Sequence, residues 1–176
     1  TADFVRQVLF SNFKGSRVVD ADGLNILAGT KNWWQKLAGD AILTPHPGEM
    51  SRLSGMTVAV VQADRVNTTR KLAGEWGKTV VLKGAYTVVA APDGRCRLSP
   101  FANAGLASAG TGDVLTGAIA GLAAQGLSLF AAASLGVYLH GAAGEMVRAE
   151  LGDTGMIASD LLPALPRTIR QLKRKD

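Results

Sequence analysis

Four consecutive residues set the first question. Gly110, Thr111, Gly112 and Asp113, within "NAGLASAGTGDVLTG" (103–117), surround one carboxylate with glycines ahead of an apolar-periodic run. Glycines at 110 and 112 let successive backbone N–H groups turn to one side, and a helix starting behind them adds its positive end. Gly110, Thr111 and Gly112 then form an anion hole fit for a phosphoryl group. The same dipoles favour an ionised Asp113, which can take a proton from a hydroxyl. A plain helix N-cap is the competing reading of Asp113.

Three further stretches carry reactive side chains. In "LTPHPGEMSRL" (43–53), Pro45 and Pro47 fix the chain on both sides of His46, and Pro47 with Glu49 suits the first turn of a helix running toward Leu53. His46 is thereby held in a rigid turn; a capping His46 and a Glu49 that only complements the helix dipole are the alternatives. In "VVLKGAYT" (80–87), Lys83 and Gly84 follow an apolar run, where a lysine can meet phosphate as a point charge or simply be solvated. In "VVDADGLN" (18–25), Asp20, Asp22 and Asn25 also follow an apolar run.

Elements must bring these residues together. Short apolar runs at 17–20, 41–44 and 79–84 each end in polar residues, as buried strands do when their carboxyl ends open into a cleft. Residues 2–10 read as a helix. Residues 63–76 read as a covering helix, with Val66, Leu72, Ala73 and Trp76 on its dry side. A hairpin is expected about Pro92-Asp93-Gly94, and helices over 113–125, 128–150 and about 158–173. Strand-like runs alternating with helices predict an α/β layered fold with a largely parallel sheet.

Composition excludes several classes. One domain suits 176 residues, and a chain of this size buries roughly 70% of its unfolded surface. The net charge is +5, but Arg167, Arg170, Lys173, Arg174 and Lys175 against Asp176 leave only +1 for residues 1–166, with no basic stripe for nucleic acid. Cys96 is alone, so no internal disulfide forms, and a reducing, cytoplasmic setting is expected. Residues 1–10 carry no signal-peptide pattern. Residues 114–139 are uncharged and long enough to span a bilayer, yet Gln125, Gly126 and Ser128 divide them where a helix stop and a new cap belong. Two packed helices are expected there, and no membrane.

Taken in order, "DADGLN", "LTPHPGE", "VVLKGAYT", "NAGLASAGTGDVLTG" and "GMIASDLL" resemble the signature blocks of the ADP/ATP-dependent NAD(P)H-hydrate dehydratases, of the ribokinase-like superfamily, over about residues 17–162. The resemblance implies a ribokinase-like three-layer sandwich and a repair enzyme that restores hydrated NADH or NADPH while consuming ADP or ATP. It places Lys83, Gly84, Ala85, Tyr86, Thr87 and Gly112 on the nucleotide, and His46 and Asp113 on the hydrated dinucleotide. Asp22 and Asn25 are assigned to the substrate side with them.

The implied chemistry starts with Asp113 as base, phosphorylation of the C6 hydroxyl, and phosphate elimination, with Mg²⁺ on the nucleotide's phosphates and its protein ligands unassigned. Two departures stand out. Tyr86 replaces the second glycine of the usual Lys-Gly-Ala-Gly-Thr loop. Family members also carry a glycine-rich portion, with further βα units, ahead of the "DADGLN" block. Residues 1–176 therefore read as a dehydratase domain lacking those units, with a homo-oligomer or a companion N-terminal polypeptide expected to cover the gap. A ribokinase-like kinase for a vitamin alcohol and a non-catalytic nucleotide-binding module are the rival readings, and the "TPHPGE" block favours the dehydratase.

Overall fold

Three short strands run parallel because helices cover both their faces. The computed structural model describes residues 2–152 and 154–174; Thr1, Asp153, and Lys175 and Asp176 of the basic tail lie outside the described residues. Among the described residues the chain runs α1 (Ala2–Leu9), β1 (Arg17–Val19), α2 (Ala21–Ala28), α3 (Trp33–Lys36), β2 (Ala41–Leu43), α4 (Pro47–Ser54), α5 (Val58–Ala63), α6 (Arg65–Trp76), β3 (Thr79–Leu82), β4 (Val88–Ala90) and β5 (Cys96–Leu98). A 3₁₀ turn (Ala104–Ala107) follows, then α7 (Thr111–Ala124), α8 (Leu129–Leu151) and α9 (Ala158–Leu172). The sheet order is β1-β2-β3-β4-β5, with β1, β2 and β3 parallel and β4 and β5 antiparallel.

The period of two sorts each strand onto two cores. Leu43, Val80, Leu82 and Val88 pack with Leu24, Met50, Leu72 and Trp76 on one face. Ile42, Val81 and Val89 pack with Leu115, Ile119, Phe130 and Val137 on the other. The expected three-layer sandwich is therefore what the chain forms. Residues 114–139 divide as expected into α7 and α8, with Ser128 capping α8 through the Ala131 amide. Among the described residues no helix is long and apolar enough to cross a membrane.

Two elements depart from the reading. The expected helix over 63–76 is two helices broken at Asp64, whose carboxylate caps α6 by accepting from Asn67 N. Val66 is not on the dry side of α6: it is exposed, and Thr68 and Thr69 are buried with Leu72, Ala73 and Trp76. The last helix before the basic tail matches, but the helix expected from Asp113 starts two residues earlier, at Thr111.

Candidate active site

The parallel strands deliver their next residues side by side. Past the strand ends the ladder continues, with Thr44 N donating to Val19 O (3.1 Å) and Lys83 N to Pro45 O (2.8 Å). Asp20, His46 and Lys83 consequently leave the sheet at one rim, where α/β sheets bind ligands. The Lys83 ammonium lies 2.6 Å from Asp20 Oδ1 and 3.8 Å from Glu49 Oε2. The three side chains are 19%, 10% and 7% exposed. Asp20 is saturated: Oδ1 also accepts from Ala21 N (2.9 Å), and Oδ2 accepts from Thr116 Oγ1 of α7 (2.9 Å). Ala21 holds φ +48°, a left-handed strain placed beside a functional group.

His46 caps α4. Its Nδ1 accepts from Gly48 N (3.0 Å) and Glu49 N (3.3 Å), while Glu49 Oε2 accepts from His46 N (2.8 Å). An Nδ1 used as acceptor puts the proton of the neutral ring on Nε2, on the half-exposed side. The capping reading of this histidine therefore holds through Nδ1, while Nε2 lies 3.5 Å from Glu49 Oε1.

The glycine turn closes the site. Gly110 has φ +83° and forms the N-cap position of α7, so Asp113 is not the cap but sits in the first helical turn. Thr111, Asp113 and Val114 amides donate to Ser108, Gly110 and Gly110 carbonyls, and among the described residues the Gly112 amide has no carbonyl partner, as suits an anion-binding turn. A Cβ at Gly112 would stand 3.6 Å from Lys83 Nζ and 3.8 Å from Asp20 Oδ2, so the turn lies directly over the ion pair. His140, deep in α8, donates from Nε2 to Thr111 O (2.9 Å) and fixes the turn from behind. Burial pushes the His140 pKa below its ordinary value, with the Thr111 bond opposing.

His46, Lys83, Gly112 and His140 among these groups line a cavity of about 600 Å³. Its wall includes His46, Lys83, Gly84, Ala85, Thr87, Thr111 and Gly112 among the anticipated residues. It also includes Phe101, Asn103, Leu106 and His140, which the motifs did not single out. Asn103 Oδ1 is taken by Gly105 N, while its Nδ2 is buried without a partner, a donor waiting for a ligand acceptor. Arg65 braces the loop after β3, donating from Nη2 to Leu82 O (3.1 Å) and Lys83 O (3.2 Å).

Several anticipated residues stand elsewhere. Asp113 is exposed in the α7 first turn, next to the cavity wall rather than part of it. Asp22 and Asn25 lie on the exposed side of α2, outside the cavity lining, and Asn25 Oδ1 accepts from Arg52 of α4 (3.3 Å). Of the three polar residues after β1, Asp20 is the one that reaches Lys83. Tyr86 is 52% exposed with φ +52°, in the left-handed region that favours glycine. No group of three or more His, Cys, Asp or Glu side chains that could hold a metal occurs among the described residues.

Comparison with known proteins identifies the family. The profile of the family described as NAD(P)H-hydrate dehydratase matches residues 1–167. A bifunctional NAD(P)H-hydrate repair enzyme of Moorella thermoacetica is 49% identical over 175 residues, 99% of this chain and 33% of that protein. The crystal structure of the ADP/ATP-dependent NAD(P)H-hydrate dehydratase from Bacillus subtilis, co-crystallized with ATP and Mg²⁺, aligns with a TM-score of 0.84 at 37% identity, covering 95% of this chain and 58% of that one. A ribokinase-like superfamily protein from Enterococcus faecalis, at 24% identity and a TM-score of 0.80 over 97% of this chain and 58% of that one, shows that the fold is ribokinase-like. The chain thus spans about a third of the first relative and less than two thirds of either solved structure. By the match across residues 1–167, the chain belongs to the NAD(P)H-hydrate dehydratase family.

Proposed function

We propose that residues 1–176 act as one catalytic unit that dehydrates hydrated NADH or NADPH at the expense of ADP or ATP. The observation that carries this reading is the meeting of Asp20, His46 and Lys83 at three strand ends beneath the Gly110–Gly112 turn, at the wall of a nucleotide-sized cavity. Lys83, Gly84, Ala85, Tyr86 and Thr87 hold the nucleotide, with Asn103 Nδ2 as an added donor. His46 presents Nε2–H to the hydrated dinucleotide. The Gly112 amide and the positive end of α7 receive the phosphoryl group in flight.

Asp113 accepts the proton of the C6 hydroxyl as its oxygen bonds to the terminal phosphorus and the shortened nucleotide departs. The C6–O bond then breaks with its electron pair on phosphate, the ring nitrogen supplies electrons to C6, and loss of the C5 proton forms the C5–C6 double bond. Mg²⁺ would neutralise phosphate charge, held by the nucleotide itself. Asp20 and Glu49 act through Lys83, fixing where its ammonium sits.

Two further features belong to this reading. Strand β1 is a sheet edge, and beside it Val18, Gly117, Ala120, Ala124 and Leu129 line an open groove of about 480 Å³. Unpaired edges with apolar flanks are normally covered, so the working assembly covers β1 with a further polypeptide segment or a second copy. The lone Cys96 and the soluble dinucleotide substrate suit the cytoplasm.

The test is to incubate the protein with hydrated NADH, Mg²⁺ and either ADP or ATP and to follow reduced-nicotinamide absorbance. Nucleotide-dependent recovery is expected. A phosphorylated product that accumulates without dehydration would assign the chain to the kinase reading instead.

A further inference from the structure

Strand β5 is the other edge of the sheet, and Arg95, Arg97 and Ser99 follow one another there at the period that puts them on one side. Helix α8 faces them with Phe130, Ser134 and Tyr138, a stripe at i, i+4 and i+8. Between the two lies a groove of about 530 Å³ lined by all six.

Its electrostatics are one-sided. The Phe130 ring carries both guanidinium groups, Arg95 Cζ at 4.8 Å and Arg97 Cζ at 5.8 Å from its centroid. Stacking on a ring face occupies the flat side of a guanidinium and leaves its in-plane N–H donors unspent. No aspartate or glutamate lines the groove. Arg95 pairs with Asp93 of the hairpin turn on exposed side chains, and Arg97 has no hydrogen-bond or ion-pair partner among the described residues. Ser134 Oγ, also on the wall, is buried with no hydrogen-bond partner. Arg95 gives Nε and Nη2 to Asp93 Oδ2 (2.8 and 2.6 Å) and keeps Nη1, so the unpaired Arg97 guanidinium, the remaining Arg95 donors and an orphaned hydroxyl are what the groove offers an anion.

The groove adjoins the cavity already described, since Ser99 and Val137 line both. Ser99 N also donates to Thr87 O (2.9 Å), which ties the groove's wall to the loop after β3. We infer that the Arg95–Phe130–Arg97 groove is an anion subsite that binds a phosphoryl group beside the nucleotide cavity. The choice of phosphoryl over other anions rests on the nucleotide reading of that cavity; the demand for an anion does not. Arg95 and Arg97 supply paired N–H donors to the phosphoryl oxygens, and Ser134 adds a hydroxyl. The phosphoryl belongs either to the far end of a dinucleotide seated in the cavity or to a separate phosphorylated molecule.

Calorimetric titration of the full chain with inorganic pyrophosphate, alone and with ADP present, tests the site without any enzymatic readout, so a chain inactive as a dehydratase still reports on it. Binding that weakens at least tenfold in an Arg95→Gln/Arg97→Gln double variant, and by a few fold in Ser134→Ala, is expected. Competition between pyrophosphate and ADP, with ADP also weakened in the double variant, assigns the phosphoryl to the ligand in the cavity. Additive binding with ADP unchanged assigns it to a separate molecule. Equal pyrophosphate affinity in the parent and the correctly folded double variant, or no pyrophosphate binding by the parent, overturns the inference.

Discussion

Replacing Lys83 with methionine should cost the ligand-free protein about 3–5 kcal/mol, the range for removing one partner of a buried ion pair. The magnitude follows from what would be left behind. Asp20 and Glu49, 10% and 7% exposed, currently share one ammonium at 2.6 and 3.8 Å. Methionine keeps the stem's volume but leaves two largely buried carboxylates without the ammonium they share. Thr116 Oγ1 and Ala21 N still satisfy Asp20 by hydrogen bonds, so the loss should not exceed this range. Set against a total stability of about 5–15 kcal/mol, such a loss is a third or more of what holds the fold. It should lower the melting temperature by roughly 10 °C or more. Urea unfolding without nucleotide, on the parent, Lys83→Met, Asp20→Asn and the double variant, gives the coupling directly. The double variant should be less destabilised than the sum of the singles by more than about 1 kcal/mol, because contacting groups are non-additive. A Lys83 that serves only as a phosphate contact has no such role in the empty protein. Ligand-free Lys83→Met within about 1 kcal/mol of the parent would therefore refute the clamp, whatever it did to nucleotide affinity.

Asp113→Asn should lower turnover about 10²–10⁴-fold, the usual range for a lost general base, while nucleotide affinity measured by calorimetry stays within a few fold; near-parental turnover removes Asp113 from that role. His46→Ala should raise KM for the hydrated dinucleotide more than KM for ADP and cost about 1 kcal/mol of stability through the lost α4 cap, with equal weakening of both ligands contradicting the division of the cleft. His140 should make the fold acid-sensitive: its pKa is depressed in the folded state, so its contribution is complete above the unfolded value of about 6.5 and is lost as pH falls through the lower folded value, at up to about 1.4 kcal/mol per pH unit. Urea midpoints for the parent and His140→Gln between pH 5 and 8 show this as a slope present in the first and reduced in the second. Light scattering with intact-mass analysis should find the purified chain associated, with itself or with a companion polypeptide, and a monodisperse single chain of 18.3 kDa with full dehydratase activity would contradict the covered β1 edge.

The strand ends were legible because apolar runs that stop at polar residues leave little choice about where the cleft opens. Arg17–Val19, Ala41–Leu43 and Thr79–Leu82 each stop just short of the polar residues at issue. Which of three polar residues after β1 faces inward was not legible. Asp20, Asp22 and Asn25 have equal claims by type, and the choice is made by the left-handed Ala21, a backbone state that alanine does not advertise. It turns Asp20 inward to Lys83 and sends Asp22 and Asn25 to the outer side of α2. His140 was hidden for a different reason. Its partner Thr111 is 29 positions away, and nothing local in an Ala- and Gly-rich helix marks that bond. The available signal was a lone titratable side chain flanked by Gly141 and Gly144, residues small enough for Phe101 and Leu106 to pack against the helix there.

Tyr86 shows why a departure from a motif need not change the backbone behind it. A glycine at that position makes a left-handed residue cheap, and an L-residue there costs about 1–2 kcal/mol. The structure nevertheless keeps φ +52°, because the loop is tied along its length: Tyr86 N donates to Phe101 O, Ser99 N to Thr87 O, and Thr87 Oγ1 to Gly84 O. Those bonds weld the loop after β3 to the segment 99–103 that forms the cavity's far wall. The phenol ring is sent outward and leaves the inner face, Gly84, Ala85 and Thr87, lining the cavity. Tertiary bonds thus set the conformation that sequence attributes to glycine, and the same bonds join the loop after β3 to the wall that Phe101 and Asn103 form.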